Sequence, residues 1–150
     1  MCYLNPTIMK KFIQHLVLGT LVVFATSQAN AQRLFDAVPE NAAFQSKVIE
    51  SVFALNPGSA VDLKLAQGFR VMGVVKSNQK VYDNLQTVVI ESSNFNNAKL
   101  FISKTVDNNN QVKYVGRMLG RGYQDGIELK SDNAGNNTIK KINLKEMIVE

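Results

Sequence analysis

VDLKLAQGFRVMGVVK, residues 61–76, decides the fold class. Val61, Leu63 and Leu65 alternate with Asp62 and Lys64, the period-2 pattern of a strand with one buried face. Gln67-Gly68 follows, a short loop ending in glycine, which is a tight-hairpin signal. On the return, Phe69, Val71, Gly73 and Val75 share a face, and Arg70 and Lys76 take the other. The stretch therefore reads as two antiparallel strands over one apolar layer.

Downstream the same grammar repeats. Ser77-Asn78-Gln79-Lys80 reads as the next turn. Leu85 to Ser92 (LQTVVIES) is rich in β-branched residues and reads as a central strand. Ser93 to Asn97 interrupts it, after which Leu100 and Ile102 alternate with Lys99, Phe101 and Ser103. Asp107-Asn108-Asn109-Asn110 is a turn, because Asn and Asp tolerate left-handed backbone and bond their own main chain. Val112, Tyr114, Gly116 and Met118 then oppose Lys113, Val115 and Arg117. Residues 119–126 (LGRGYQDG) hold Gly120, Gly122 and Gly126 and read as a loop or bulged corner. Ile127–Lys130 and Thr138–Ile142 are partner strands about the turn DNAGNN, residues 132–137.

Strands recurring at this spacing predict a mainly β fold, a single antiparallel meander closed as a small barrel or sandwich. Asn143 followed by Glu146 predicts a short C-terminal helix. Phe44, Val48, Val52 and Leu55 suggest a short helix or irregular segment up to Glu50, with a strand at 51–56. No internal repeat or linker divides the domain.

The opening residues have a different character. Lys10-Lys11 precedes the apolar stretch Phe12–Ala25, then polar Thr26-Ser27-Gln28 and the small-x-small triplet Ala29-Asn30-Ala31. That order is the order of a secretory signal peptide over residues 1–31, cleaved after Ala31, with Met1 or Met9 as the start. The apolar run is shorter than the roughly 20 residues of a membrane span. The expected mature domain is residues 32–150, exported to the periplasm or exterior, without a stable membrane span.

Cleavage changes the charge. The whole chain carries 17 basic and 12 acidic residues. Without Lys10 and Lys11, 15 basic residues face 12 acidic ones, a net +3 that does not argue for nucleic acid. The leader also holds the only cysteine, Cys2, and the only histidine, His15. One cysteine allows no intrachain disulfide, so the fold rests on core burial. A mature chain without His and Cys has no Ser-His-Asp triad, no Cys-His pair and no usual zinc set. No cofactor or metal site is implied.

Other motifs carry little. Ser77-Asn78-Gln79-Lys80 and Ser131-Asp132-Asn133 match two of the three serine β-lactamase patterns, but the third, K-T-G, is absent. Asp107–Asn110 and Asp132–Asn137 cluster oxygen atoms without the twelve-residue calcium spacing. Asp125 with Glu128, or Asp83 with Glu91, are the carboxylate pairs on which glycosidase chemistry would rest. Asn136-Asn137-Thr138 fits the glycosylation acceptor pattern.

The candidate binding residues are Arg117, Arg121, Tyr123 and Asp125, around the glycines of 116–126. Glycines permit close approach to the backbone, and arginine forks suit a carboxylate or phosphate. Lys140, Lys141 and Lys145 extend that surface as a polyanion patch. The function expected is an exported non-enzymatic binding or structural module that contacts a protein or glycan partner of the envelope or exterior. The alternatives are a small secreted hydrolase using a carboxylate pair, or an inhibitor or guard domain for a secreted enzyme.

Overall fold

The computed structural model describes residues 32–148; the expected signal peptide lies outside them. Eight strands form one antiparallel sheet: β1 (Asn41–Ala43), β2 (Ala60–Ala66), β3 (Phe69–Tyr82), β4 (Leu85–Ser92), β5 (Lys99–Val106), β6 (Val112–Leu119), β7 (Asp125–Ser131) and β8 (Asn137–Asn143). Strands β2 to β8 run as a meander in sequence order, and β1 adds to the outside of β8. Among the described residues the ladder ends at β1 on one side and β2 on the other. The sheet is thus a curled half-barrel, short of the closed barrel or sandwich expected.

Alternation fixes the two faces. Val61, Leu63 and Leu65 of β2 are buried, as are Phe69, Val71 and Val75 of β3 and Val88 and Ile90 of β4. Leu100, Ile102, Met118, Ile127, Leu129 and Ile139 continue the same inner layer across β5 to β8. Tight turns hold the register. Gly68 takes φ +77 between β2 and β3, a conformation open to glycine without a Cβ penalty. Asn96, Asn97 and Asn110 take left-handed backbone in the turns after β4 and β5, the use expected of an asparagine-rich chain.

The inner face is covered by the chain's own N-terminal arm. Residues 33–55 bring Phe35, Val38, Phe44, Ile49, Val52 and Phe53 onto it, all buried. Phe35 meets Phe95 at a ring separation of 5.3 Å, and Phe95 meets Phe69 at 5.8 Å. The arm holds a short helix, α1 (Ser46–Glu50), which packs against β2, followed by a 3₁₀ turn at Ser51–Ala54. The strand expected at 51–56 is therefore absent. Val52 and Phe53 are adjacent and both buried, which a turn permits and a one-sided strand does not.

Two more expectations fail for local reasons. Residues 77–80 are not a turn: β3 runs through them, with register shifts between Val75 and Ser77 and between Lys80 and Tyr82. Those bulges break the alternation that marks a strand. The C-terminal helix shrinks to a 3₁₀ turn at Glu146–Ile148, although Asn143 does accept from the Lys145 backbone N–H and donate to Glu146.

Candidate functional site

The outer face of the sheet is the other half of the same alternation. Register places Val89, Phe101, Arg117, Glu128 and Lys140 in one row across β4, β5, β6, β7 and β8. Val115 stands on the neighbouring row, and Met72 and Val74 occupy the outer side of β3. Met72, Val74, Phe101 and Val115 are large exposed apolar groups on a sheet whose opposite face is filled: Phe101 is 44% exposed and Val115 51%. Around them, Lys76 pairs with Glu91 at 3.2 Å and Arg117 with Glu128 at 3.1 Å. Lys99, Lys130 and Lys140 are exposed on the same face with no carboxylate partner among the described residues.

The sequence-derived candidates do not converge on one place. Arg117 lies on the outer face, within this row. Arg121 is exposed in the turn beyond the end of β6, and the Tyr123 hydroxyl accepts a 2.7 Å bond from the Asn96 amide. Asp125 points to the inner side and is 5% exposed. Its two carboxylate oxygens accept from the backbone N–H groups of Leu34 and Phe35, each at 2.8 Å, so it clamps the N-terminal arm. Gly120 serves the same contact: a Cβ there would lie 2.6 Å from Leu34 Cδ2 and 2.7 Å from the Tyr123 ring. What approaches the backbone closely at this glycine is thus the chain's own arm. Lys140 and Lys141 face opposite sides; Lys141 pairs with Glu40 at 3.1 Å, and Lys145 sits beyond β8.

The remaining motifs find local roles. Asp132 accepts from the Asn136 side chain and from the backbone N–H groups of Asn136 and Ala134, which, in that order, hold its carboxyl below the usual range. Asp107 does the same with Gln111 and Asn109, with Lys113 adding to the effect. Both carboxylates are thereby spent on their own turns. Ser131 Oγ accepts from the Tyr114 backbone N–H and donates to Asn137. Asp125 and Glu128 sit three positions apart on one strand and so face opposite sides.

One polar cluster lies where the sequence offered no signal. Glu50, at the end of α1, accepts from the Tyr114 hydroxyl and from Lys104, residues 64 and 54 positions away. Lys104 also stands 5.8 Å above the Phe53 ring. Nearby, Asn78 donates to the carbonyls of Phe53 and Leu55, and Gln86 donates to Phe53 and Asn78. Burial works to raise the Glu50 pKa, but the bonds from Lys104 and Tyr114 and the Lys104 charge outweigh it and leave the carboxyl lowered. Burial, with the Glu50 bond and charge, pushes the Tyr114 hydroxyl well up. The cluster fastens α1 to β5 and β6.

Over the β2–β3 turn lies an open groove of about 730 Å³ whose wall carries the Arg70–Asp62 ion pair beside Asn94 and Phe95. Every buried side-chain polar atom among the described residues has a partner. Phe101, Val115, Lys99 and Lys130 were the outer-face residues the candidate set left out. The signal for them was present: an aromatic among the polar-side positions of 99–103.

No family model, curated protein or solved structure matches the chain.

Proposed function

We propose that this chain is an exported, non-enzymatic binding module that presents the outer face of its half-barrel to a partner of the cell envelope or exterior. The observation carrying this reading is Phe101, held 44% exposed beside Val89, Val115 and Arg117 on the outer face of the sheet. Exposing an aromatic and several aliphatic side chains on one face opposes solubility, and grouped exposure of this kind marks interaction surfaces. The leader-like order of residues 10–31 supports export. Arg117 belongs to this surface, while Asp125 serves the fold.

The test is retention of the purified protein on an envelope fraction from the cells that produce it. Phe101→Ser with Val115→Thr is expected to lower retention about tenfold, the effect of removing a central aromatic contact. Its unfolding free energy should fall by no more than about 1–2 kcal/mol, since both side chains are about half exposed. Retention that is unchanged, or that falls equally for Arg121→Gln at the turn, would refute this choice of surface.

A further inference from the structure

Resting on that reading, we infer that the ligand of the outer face is an acidic polysaccharide bearing carboxylates. The charge of the domain is gathered on this face. Besides Arg70, which Asp62 neutralises, strands β3 to β8 direct Lys76, Lys99, Lys113, Arg117, Lys130 and Lys140 outward. Glu91, Asp107 and Glu128 are the carboxylates paired with three of them, Lys76, Lys113 and Arg117. Six cations against three carboxylates give this face +3, the same as residues 32–150 together, which carry 15 basic and 12 acidic residues. The rest of the domain is therefore near neutral, and the excess is local to the sheet. Salt screens a charge's potential over about 10 Å at ordinary ionic strength, so a local excess is what an anionic chain senses.

The placement suits an extended polymer. Lys99 stands on β5, Lys130 on β7 and Lys140 on β8, so unpaired cations recur across strands spaced about 4.8 Å apart. They surround the Phe101–Arg117 pair on three sides of the register. Arg117 reaches Glu128 through one guanidinium nitrogen and is half exposed, which leaves donors for a ligand carboxylate. The Phe101 ring offers the apolar surface that the C–H face of a sugar ring covers.

The same inventory disfavours other partners. The cores of protein interfaces are depleted of lysine, yet here lysines crowd the apolar centre. An anionic bilayer is gripped by apolar groups that reach past the surface, whereas Phe101 sits mid-strand, paired on both sides and only 44% exposed.

The experiment measures binding of the purified protein to polygalacturonate, with dextran as neutral polymer and phosphatidylglycerol vesicles as anionic membrane. Polygalacturonate should bind, weakening as salt rises, and dextran should not. Lys99→Gln/Lys130→Gln/Lys140→Gln should lose about tenfold in affinity, the sum of three exposed charge contacts. Lys47→Gln/Lys80→Gln/Lys145→Gln removes equal charge elsewhere and should change it less than twofold. Equal loss in both triple variants, equal binding of dextran, tighter binding to vesicles, or no binding of polygalacturonate would each overturn the inference. If polygalacturonate fails while Phe101→Ser still abolishes envelope retention, the surface stands and the ligand class falls; if both fail, the surface falls too.

Discussion

Asp125→Ala is the substitution whose cost follows most directly from geometry. The carboxylate is 5% exposed and accepts two 2.8 Å bonds, from the Leu34 and Phe35 backbone N–H groups, some ninety residues away in sequence. A hydrogen bond to a charged group contributes about 1.5–3 kcal/mol, and removal leaves two amide donors, one of them buried, without a partner. Relief of the carboxylate's own desolvation offsets part of this, so the net loss should be near 3 kcal/mol. For a domain of this length, unfolding entropy of about 0.25 kcal/mol/K converts that to a fall in Tm of roughly 12 °C. With no tryptophan in the chain, thermal unfolding is best followed by far-UV circular dichroism. Amide exchange at Leu34 and Phe35 supplies a second, local readout. A fall in Tm below about 4 °C, with both amides still protected, would refute the clamp and the account of how the arm is held.

Two further outcomes test the fold's internal logic. Gly73→Ala should cost about 3 kcal/mol or more in urea unfolding, because a Cβ there would lie 2.1 Å from the Glu91 carbonyl oxygen, backbone against backbone. Glu50 should add an acid-sensitive contribution: its pKa is lowered in the folded state, so the contribution is complete above the ordinary glutamate range and fades as pH falls through the lowered folded value. Side-chain exposure of 46% limits it to under about 1 kcal/mol. Tyr114→Phe should shrink that acid-dependent difference in a denaturant titration run across the pH range, and Glu50→Gln should abolish it.

How much of this was legible in the sequence depends on the range of the interactions. Strand β4 was readable at its full extent, because its β-branched run lies between turn-forming residues. The β2–β3 hairpin was readable because the Gly68 turn and two alternating runs agree. Alternation also told which side chains share a face, which is how Phe101 and Lys99 come to stand together. Where alternation broke, the reading broke: the bulges at Val75/Ser77 and Lys80/Tyr82 disguised the far half of β3 as a turn. Three-residue β1 has no periodicity to detect, and its pairing with β8 joins residues about a hundred positions apart. Asp125 illustrates the limit for the site. Its residue type and glycine neighbours suit a ligand carboxylate contact as well as a clamp, and the choice is made by Leu34 and Phe35, which no local pattern connects to it.

Lysine acetylation footprinting with and without polygalacturonate tests the outer-face claim most directly, because exposed lysines stand both on that face and away from it, at Lys47 and Lys145. Protection confined to Lys99, Lys130 and Lys140, with Lys47 and Lys145 labelled as in the free protein, is the result expected. Protection centred on Lys145 or Lys47, or spread evenly over all lysines, would contradict it.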